Sequence, residues 1–192
     1  LANAAQIPFH TDAVQGYGHL PLDVRNNIDL LSASAHKFGG PKGVGFLYIR
    51  KGLNIPSFIH GGAQEKQRRA GTENVPGIIG MGEAARISEE NRLKNHKRII
   101  QMRDYLMTRI LSEVACVRLN GDIINRLPGN LNLCFDFIEG QSLIVMLEMK
   151  GIYISGGSAC TSADHNPSHV LTALGLTPQE ARGSIRITIG EE

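Results

Sequence analysis

The sequence predicts an α/β protein in two parts, and three patterns carry that expectation. Short, nearly continuous apolar runs at Ile7 to Thr11, Ile28 to Leu31 and Val44 to Arg50 alternate with loops, as strands covered on both faces do. A helical spacing of apolar residues then fills the middle of the chain. From Asn130 the pattern becomes strict alternation followed by short helices and a last strand, a compact α+β unit. The two parts are expected over residues 1–90 and 91–192.

The three early runs read as buried strands. Asp12, before Ala13-Val14-Gln15, suits a helix cap. Gly52 to Asn74 is polar and glycine-rich, with Gly61-Gly62 and the run Glu65-Lys66-Gln67-Arg68-Arg69, and reads as a long functional loop or an interface segment. Asn74 followed by Pro76 starts a helix. The spacing of Ile99, Ile100, Met107, Ile110, Leu111 and Val114 continues it, as one long helix or as two with a break near Asn91. Leu131, Leu133, Phe135 and Phe137 alternate with Asn130, Asn132, Cys134 and Asp136, a strand with one buried face. Gln141 to Lys150 reads as a helix stopped by Gly151, and Ile152 to Ser155 as the next strand. Pro167 to Leu174 and Pro178 to Arg182 read as short helices before a final strand, Ser184 to Ile189. In that strand Ile185, Ile187 and Ile189 share one face, which leaves Arg186 and Thr188 on the other.

Composition excludes several functions. The chain has 192 residues, 42% hydrophobic and 20% charged, with a formal charge of +2, which is ordinary for a globular protein able to bury a core. No Lys/Arg block interleaves with aromatics, so no nucleic-acid partner is expected. No apolar run approaches a membrane span and no signal peptide is visible, so no membrane role is expected. Cys116, Cys134 and Cys160 are widely separated and form no C-x-x-C pair, which points to a reducing compartment, the cytoplasm. Cys116 and Cys134 lie in strand-like stretches and are expected to pack. The chain opens at Leu1 without an initiating Met and enters a strand within a few residues, as the C-terminal half of a longer protein would.

Two small-residue runs make more sense as chemistry than as packing. One is Ser34-Ala35-His36-Lys37-Phe38-Gly39-Gly40-Pro41-Lys42-Gly43-Val44-Gly45; the other is Ser155-Gly156-Gly157-Ser158-Ala159-Cys160-Thr161-Ser162. Each follows an apolar strand and sets a reactive side chain on glycine-rich backbone, where a ligand can approach closely. A lysine in a glycine loop is, taken alone, more often simply solvated. Arg186 offers a bidentate clamp for a carboxylate, against the common alternative of a surface ion pair. Cys160, His165 and His169 have a spacing that suits zinc, with Asp164 nearby, but no fourth ligand is convincing and no metal is expected. The glycines of 39–45 match neither nucleotide-loop pattern, and His19, His60 and His96 are isolated and receive no role.

Together with His10-Thr11-Asp12-Ala13-Val14-Gln15 and Arg69-Ala70-Gly71-Thr72-Glu73-Asn74, these runs resemble the cysteine desulfurases, from about residue 6 to the last residue and with the motifs in the same order. Those are pyridoxal-phosphate enzymes of the fold-type-I, class-V aminotransferase superfamily that take sulfur from L-cysteine. The resemblance implies the C-terminal part of the large cofactor-binding domain followed by a small α+β domain. It further implies that Lys37 holds pyridoxal 5'-phosphate as a Schiff base, that Asp12 faces the ring nitrogen and Gln15 the ring hydroxyl, and that Ser34 and His36 bind the phosphate. Thr72 would reach the phosphate of a neighbouring subunit, which implies a homodimer. Arg186 would bind the substrate carboxylate. Cys160 would accept the sulfur as a persulfide and pass it to an acceptor or iron-sulfur scaffold protein, on a loop whose length resembles the NifS/IscS-like branch. Ala35 stands where relatives commonly have Gly, a change that matters only where that backbone needs positive φ. The aromatic residue stacked on the cofactor and part of the phosphate site would lie in the other half of the protein. Two rivals remain open: another fold-type-I aminotransferase, which needs no loop cysteine, and a non-catalytic domain that keeps only dimer or partner surfaces.

Overall fold

In the computed structural model, which describes residues 1–157 and 167–190, the three early apolar runs pair as one mixed sheet. β1 (His10–Asp12) lies parallel to β2 (Leu30–Ser34), and β3 (Gly45–Ile49) runs antiparallel along the other edge of β2. β1 and β2 sit nearer the carboxyl ends of their apolar runs than hydrophobicity alone suggests. Pairing begins where the Phe9 carbonyl accepts the N–H of Leu30 at 3.0 Å, and Ile7 lies outside the sheet, 60% exposed.

Along β2 the alternation is clean: Leu31 and Ala33 are buried, whereas Leu30, Ser32 and Ser34 face the other way. The buried side forms a core of Leu31, Ala33, Ala35, Phe38, Ala13 and Ala84, against which Tyr17, Phe46 and Met81 pack. Tyr17 packs tilted on Phe38 at 4.8 Å and edge-on to Phe46 at 5.1 Å. The small residues of this core are a packing requirement. A Cβ at Gly40 would come within 2.9 Å of the Ala35 methyl, and one at Gly45 within 2.6 Å of the Ala33 carbonyl oxygen.

The long segment from Gly52 to Asn74 carries a single helical turn, α1 (Gln64–Gln67), in which Glu65 and Lys66 adopt left-handed φ. Asn74 then opens α2 (Val75–Glu113) with its Oδ1 accepting the N–H of Gly77 at 3.1 Å. Of the two expected arrangements the structure has the single helix. It is unbroken at Asn91, whose side chain donates to the Ile87 carbonyl, and Arg86 and Arg92 pair along its surface with Glu83, Glu90 and Glu89. The chain nevertheless divides into two compact units within this helix, Leu1–Leu93 and Lys94–Glu192.

The second unit is built on an antiparallel sheet in the order β4 (Val117–Leu119), β5 (Asn130–Phe135), β6 (Ser184–Thr188). Leu131 pairs with Ile187 and Leu133 with Ile185 on one face, which meets Met107, Leu106 and Ile110 of α2. Asn132 opposite Arg186 and Cys134 opposite Ser184 form the other face. Around the sheet lie α3 (Gly140–Glu148), α4 (His169–Ala173) and α5 (Pro178–Arg182). Thr177 and Glu180 form a reciprocal capping box at the start of α5. Among the described residues no helix is long and apolar enough to cross a membrane.

Three expectations fail locally. Phe137 is not on the buried face of β5: the strand ends at Phe135, and Phe137 has left-handed φ and is 93% exposed. Cys116 is not packed in a strand. It occupies a turn with φ of 57° and is exposed, because the chain must reverse between α2 and β4. The strand expected over Ile152 to Ser155 is reduced to one bridge, Ser155 to Arg186, with Tyr153 80% exposed. The strand-like stretch read around Cys116 is β4, only Val-Arg-Leu, which begins one residue after the cysteine.

Candidate active site

Because β1 and β2 are parallel, their carboxyl ends open on the same edge of the sheet, the usual place for a ligand in such folds. Asp12 ends β1 and Ser34 ends β2. The Asp12 carboxylate is exposed, and its Oδ1 accepts the N–H of Val14 at 2.9 Å. The cap-like bond foreseen for Asp12 therefore exists, although it closes a turn and no helix follows. Gln15 lies exposed in that turn.

Directly after Ser34 the chain tightens into a 3-10 turn, Ala35–Lys37. Ala35 is fully buried and Phe38 nearly so, which leaves His36 and Lys37 exposed between two anchors. The N–H groups of Phe38 and Gly40 both donate to the Ala35 carbonyl, at 3.1 and 2.8 Å, and Ala35 N–H donates to Val44. The turn is thus held from both sides, and Ala35 has no left-handed φ, so alanine in place of glycine strains nothing here. The Ser34 hydroxyl and His36 Nδ1 are 2.8 Å apart. This edge carries a carboxylate, a hydroxyl, an imidazole and a primary amine, all open to a ligand. A neighbouring pair went unforeseen: His10 Nε2 lies 3.0 Å from Ser32 Oγ, and Ser32 is the register partner of Asp12. Only strand register, invisible to periodicity, relates them.

Thr72 is exposed in the loop before α2, beside Gly71, whose N–H donates to Gln64 Oε1 at 3.2 Å.

In the second unit Arg186 lies in β6 on the face away from the core, as the alternation predicts. Its backbone pairs with Ser155, and its Nε is buried without a hydrogen-bond partner among the described residues. Arg186 lines a cleft shared with Asn120, Arg126, Asn132, Ser155 and Ser184. Arg126 was not singled out by the sequence. Its guanidinium bonds the carbonyls of Asn120 and Asp122, and burial followed by the nearby Arg103 lowers its pKa. Cys134 is fully buried, and burial pushes its thiol pKa up. Cys160 lies outside the described residues, as do Asp164 and His165 of the weighed zinc set; of that set only His169 is described, at the start of α4.

The class-V aminotransferase family model matches residues 1–191, and the chain belongs to that family. The relatives it matches include proteins named cysteine desulfurase IscS from Methanosarcina thermophila and from Dictyoglomus turgidum, each 50% identical over 191 residues. These alignments cover 99% of this chain and 47% and 48% of the relatives. Among solved structures, a NifS-like protein from Rickettsia africae superposes with a TM-score of 0.89 at 30% identity, over 99% of this chain and 50% of that one. A second NifS-like protein gives 0.86 at 37%, over 97% of this chain and 48% of that one. The chain thus spans about half the length of the relatives it matches.

Proposed function

We propose that the full-length protein is a pyridoxal-phosphate-dependent cysteine desulfurase of the cytoplasm. The observation that carries this reading is the shared carboxyl edge of β1 and β2, which sets Asp12 and the turn bearing Ser34, His36 and Lys37 side by side. The donor set fits the cofactor: a hydroxyl and an imidazole suit a phosphate, an exposed amine suits an aldehyde, and a carboxylate suits a ring nitrogen. Identity to relatives named cysteine desulfurase supports the choice of substrate.

When bound, pyridoxal phosphate supplies an electron sink for charge developing at the substrate Cα. Lys37 would anchor it through Nζ and, as a free amine, would take and hold the Cα proton of L-cysteine. Asp12 would keep the ring nitrogen protonated, Gln15 would meet the ring hydroxyl, and Ser34 and His36 would hold the phosphate. Thr72 completes the phosphate site of a second copy, which makes the protein a homodimer. Arg186 clamps the substrate carboxylate. The Cys160 thiolate attacks the substrate sulfur: the Sγ–S bond forms as the Cβ–S bond breaks, the electron pair passes to carbon, and protonation at Cβ with return of the Cα proton from Lys37 yields L-alanine. Cys160 is left as a persulfide for a sulfur-acceptor or iron-sulfur scaffold protein.

The test is product analysis with L-cysteine. The full-length protein is expected to form alanine and a persulfide on Cys160. Cys160→Ser should still change the visible spectrum on adding cysteine yet form no persulfide, because a serine hydroxyl is a far weaker sulfur nucleophile at neutral pH. Alanine formation by Cys160→Ser at the wild-type rate would refute the desulfurase reading in favour of another class-V reaction.

A further inference from the structure

The face of the second sheet turned away from its core is polar where β5 meets β6, and the hydrogen bonds there are directional. Ser184, 2% exposed, donates its hydroxyl proton to the Glu180 carbonyl at 2.8 Å. Its Oγ must then accept, and it does so from Asn120 Nδ2 at 3.0 Å. Asn120, 5% exposed, uses the same amide nitrogen to donate to Asn132 Oδ1 at 2.7 Å. This chain of bonds fixes which end of the Asn132 amide faces inward: the oxygen. The two N–H groups of Nδ2 are left without an acceptor among the described residues. Register places Asn132 directly opposite Arg186, on the same face and lining the same cleft. Arg186 Nε is buried and also lacks an acceptor among the described residues.

Among the described residues, then, two neighbouring side chains that line one cleft have donors without a protein acceptor: Arg186 Nε, which is buried, and Asn132 Nδ2, which is not. A buried unpaired donor such as Arg186 Nε is costly, and an occupant with closely spaced acceptor lone pairs removes that cost while also receiving the Asn132 amide beside it. A carboxylate has that form. A purely structural role for Asn132 uses only its oxygen, while its Nδ2 lines the same cleft as Arg186, whose buried Nε has no acceptor among the described residues. We propose that Asn132 is a second contact for the substrate carboxylate, its Nδ2 donating beside the Arg186 guanidinium. The inference deepens the desulfurase reading and rests on it.

Asn132→Asp is the informative variant in the full-length protein, because it keeps an oxygen to accept from Asn120 while replacing both free donors with negative charge. A hydrogen bond to a charged group corresponds to roughly ten-fold or more in binding, so KM for L-cysteine should rise by at least about ten-fold. Inhibition by 3-mercaptopropionate, which has a carboxylate and no amine, should weaken equally. Inhibition by cysteamine, which has an amine and no carboxylate, should not change. Asn132→Ala should show the same selectivity, and thermal melting of both variants reports on folding. An unchanged KM in Asn132→Asp, with Arg186→Ala still raising it, overturns the role of Asn132 and leaves the carboxylate clamp standing. Equal weakening of both inhibitors reduces Asn132 to a structural role and overturns the proposal. Unchanged KM in both Asn132→Asp and Arg186→Ala removes the carboxylate site from this cleft altogether.

Discussion

Lys37 and His36 owe their availability to their neighbours: Ala35 and Phe38 are buried on either side, so the backbone between them is fixed while the two polar side chains remain exposed. The sequence showed Lys37 on a loop just past a strand end, but not the burial of Ala35 and Phe38 that anchors it, because burial depends on the core those residues meet. The cysteines were not equally legible. Cys116 and Cys134 have similar apolar neighbours, yet one lies in a left-handed turn and the other fully inside the sheet. Local composition cannot tell the first residue before a strand from one within it. In a Cys160→Ser background, a thiol reagent should modify Cys116 rapidly in the folded protein and Cys134 only upon unfolding, since burial both blocks Cys134 and raises its pKa. Peptide mass spectrometry after timed labelling measures this, and rapid labelling of Cys134 would contradict its burial. Cys134→Ala should cost about 1 kcal/mol of stability, whereas Cys116→Ala should stay within about 0.5 kcal/mol.

At the scale of elements, amphipathic patterns located most strands and helices, and hydrogen-bond partners set their ends. β1 and β2 are displaced along their apolar runs because ladder pairing, set by Phe9 and Leu30, decides where a strand begins. α5 is a clear case of local chemistry deciding structure. Thr177 accepts from the Glu180 N–H, while the Glu180 carboxylate accepts from Thr177 N–H at 2.6 Å and Oγ at 2.8 Å. Those bonds, with the Arg118 ion pair at 2.7 Å, hold the Glu180 pKa below its ordinary 4.5, the Thr177 backbone N–H contributing most. α5 in turn delivers the Glu180 carbonyl to Ser184. Thr177→Ala should therefore destabilise the protein by about 1 kcal/mol at pH 7. A carboxylate with a lowered folded pKa stabilises fully above its unfolded value and loses that contribution as pH falls through the folded one. The difference between wild type and Thr177→Ala should thus narrow below about pH 4.5, as read from urea unfolding at several pH values. A difference independent of pH would assign the effect to helix propensity rather than to the capping box.

At the scale of the whole molecule, the described residues form two cores, one around Leu31 and Phe38 and one around Leu131 and Leu133, and each lies in the unit that carries a different part of the proposed site. That the chain passes from one sheet to a second, alternating antiparallel one was readable in the sequence, but the first sheet was read as covered on both faces, whereas burial alternates along β2 and neither β1 nor β3 has a buried residue. The amide network behind Asn132 was not, since Asn120, Asn132 and Ser184 meet only through strand register. The central claim is that the shared edge of β1 and β2 is the cofactor site and that Lys37 is its covalent anchor. It is tested most directly by treating the full-length protein carrying pyridoxal phosphate with borohydride and mapping the modified residue by peptide mass spectrometry. The account predicts the pyridoxyl mass on Lys37, absent in Lys37→Ala; the mass on Lys42 or elsewhere, with Lys37 unmodified, would contradict it.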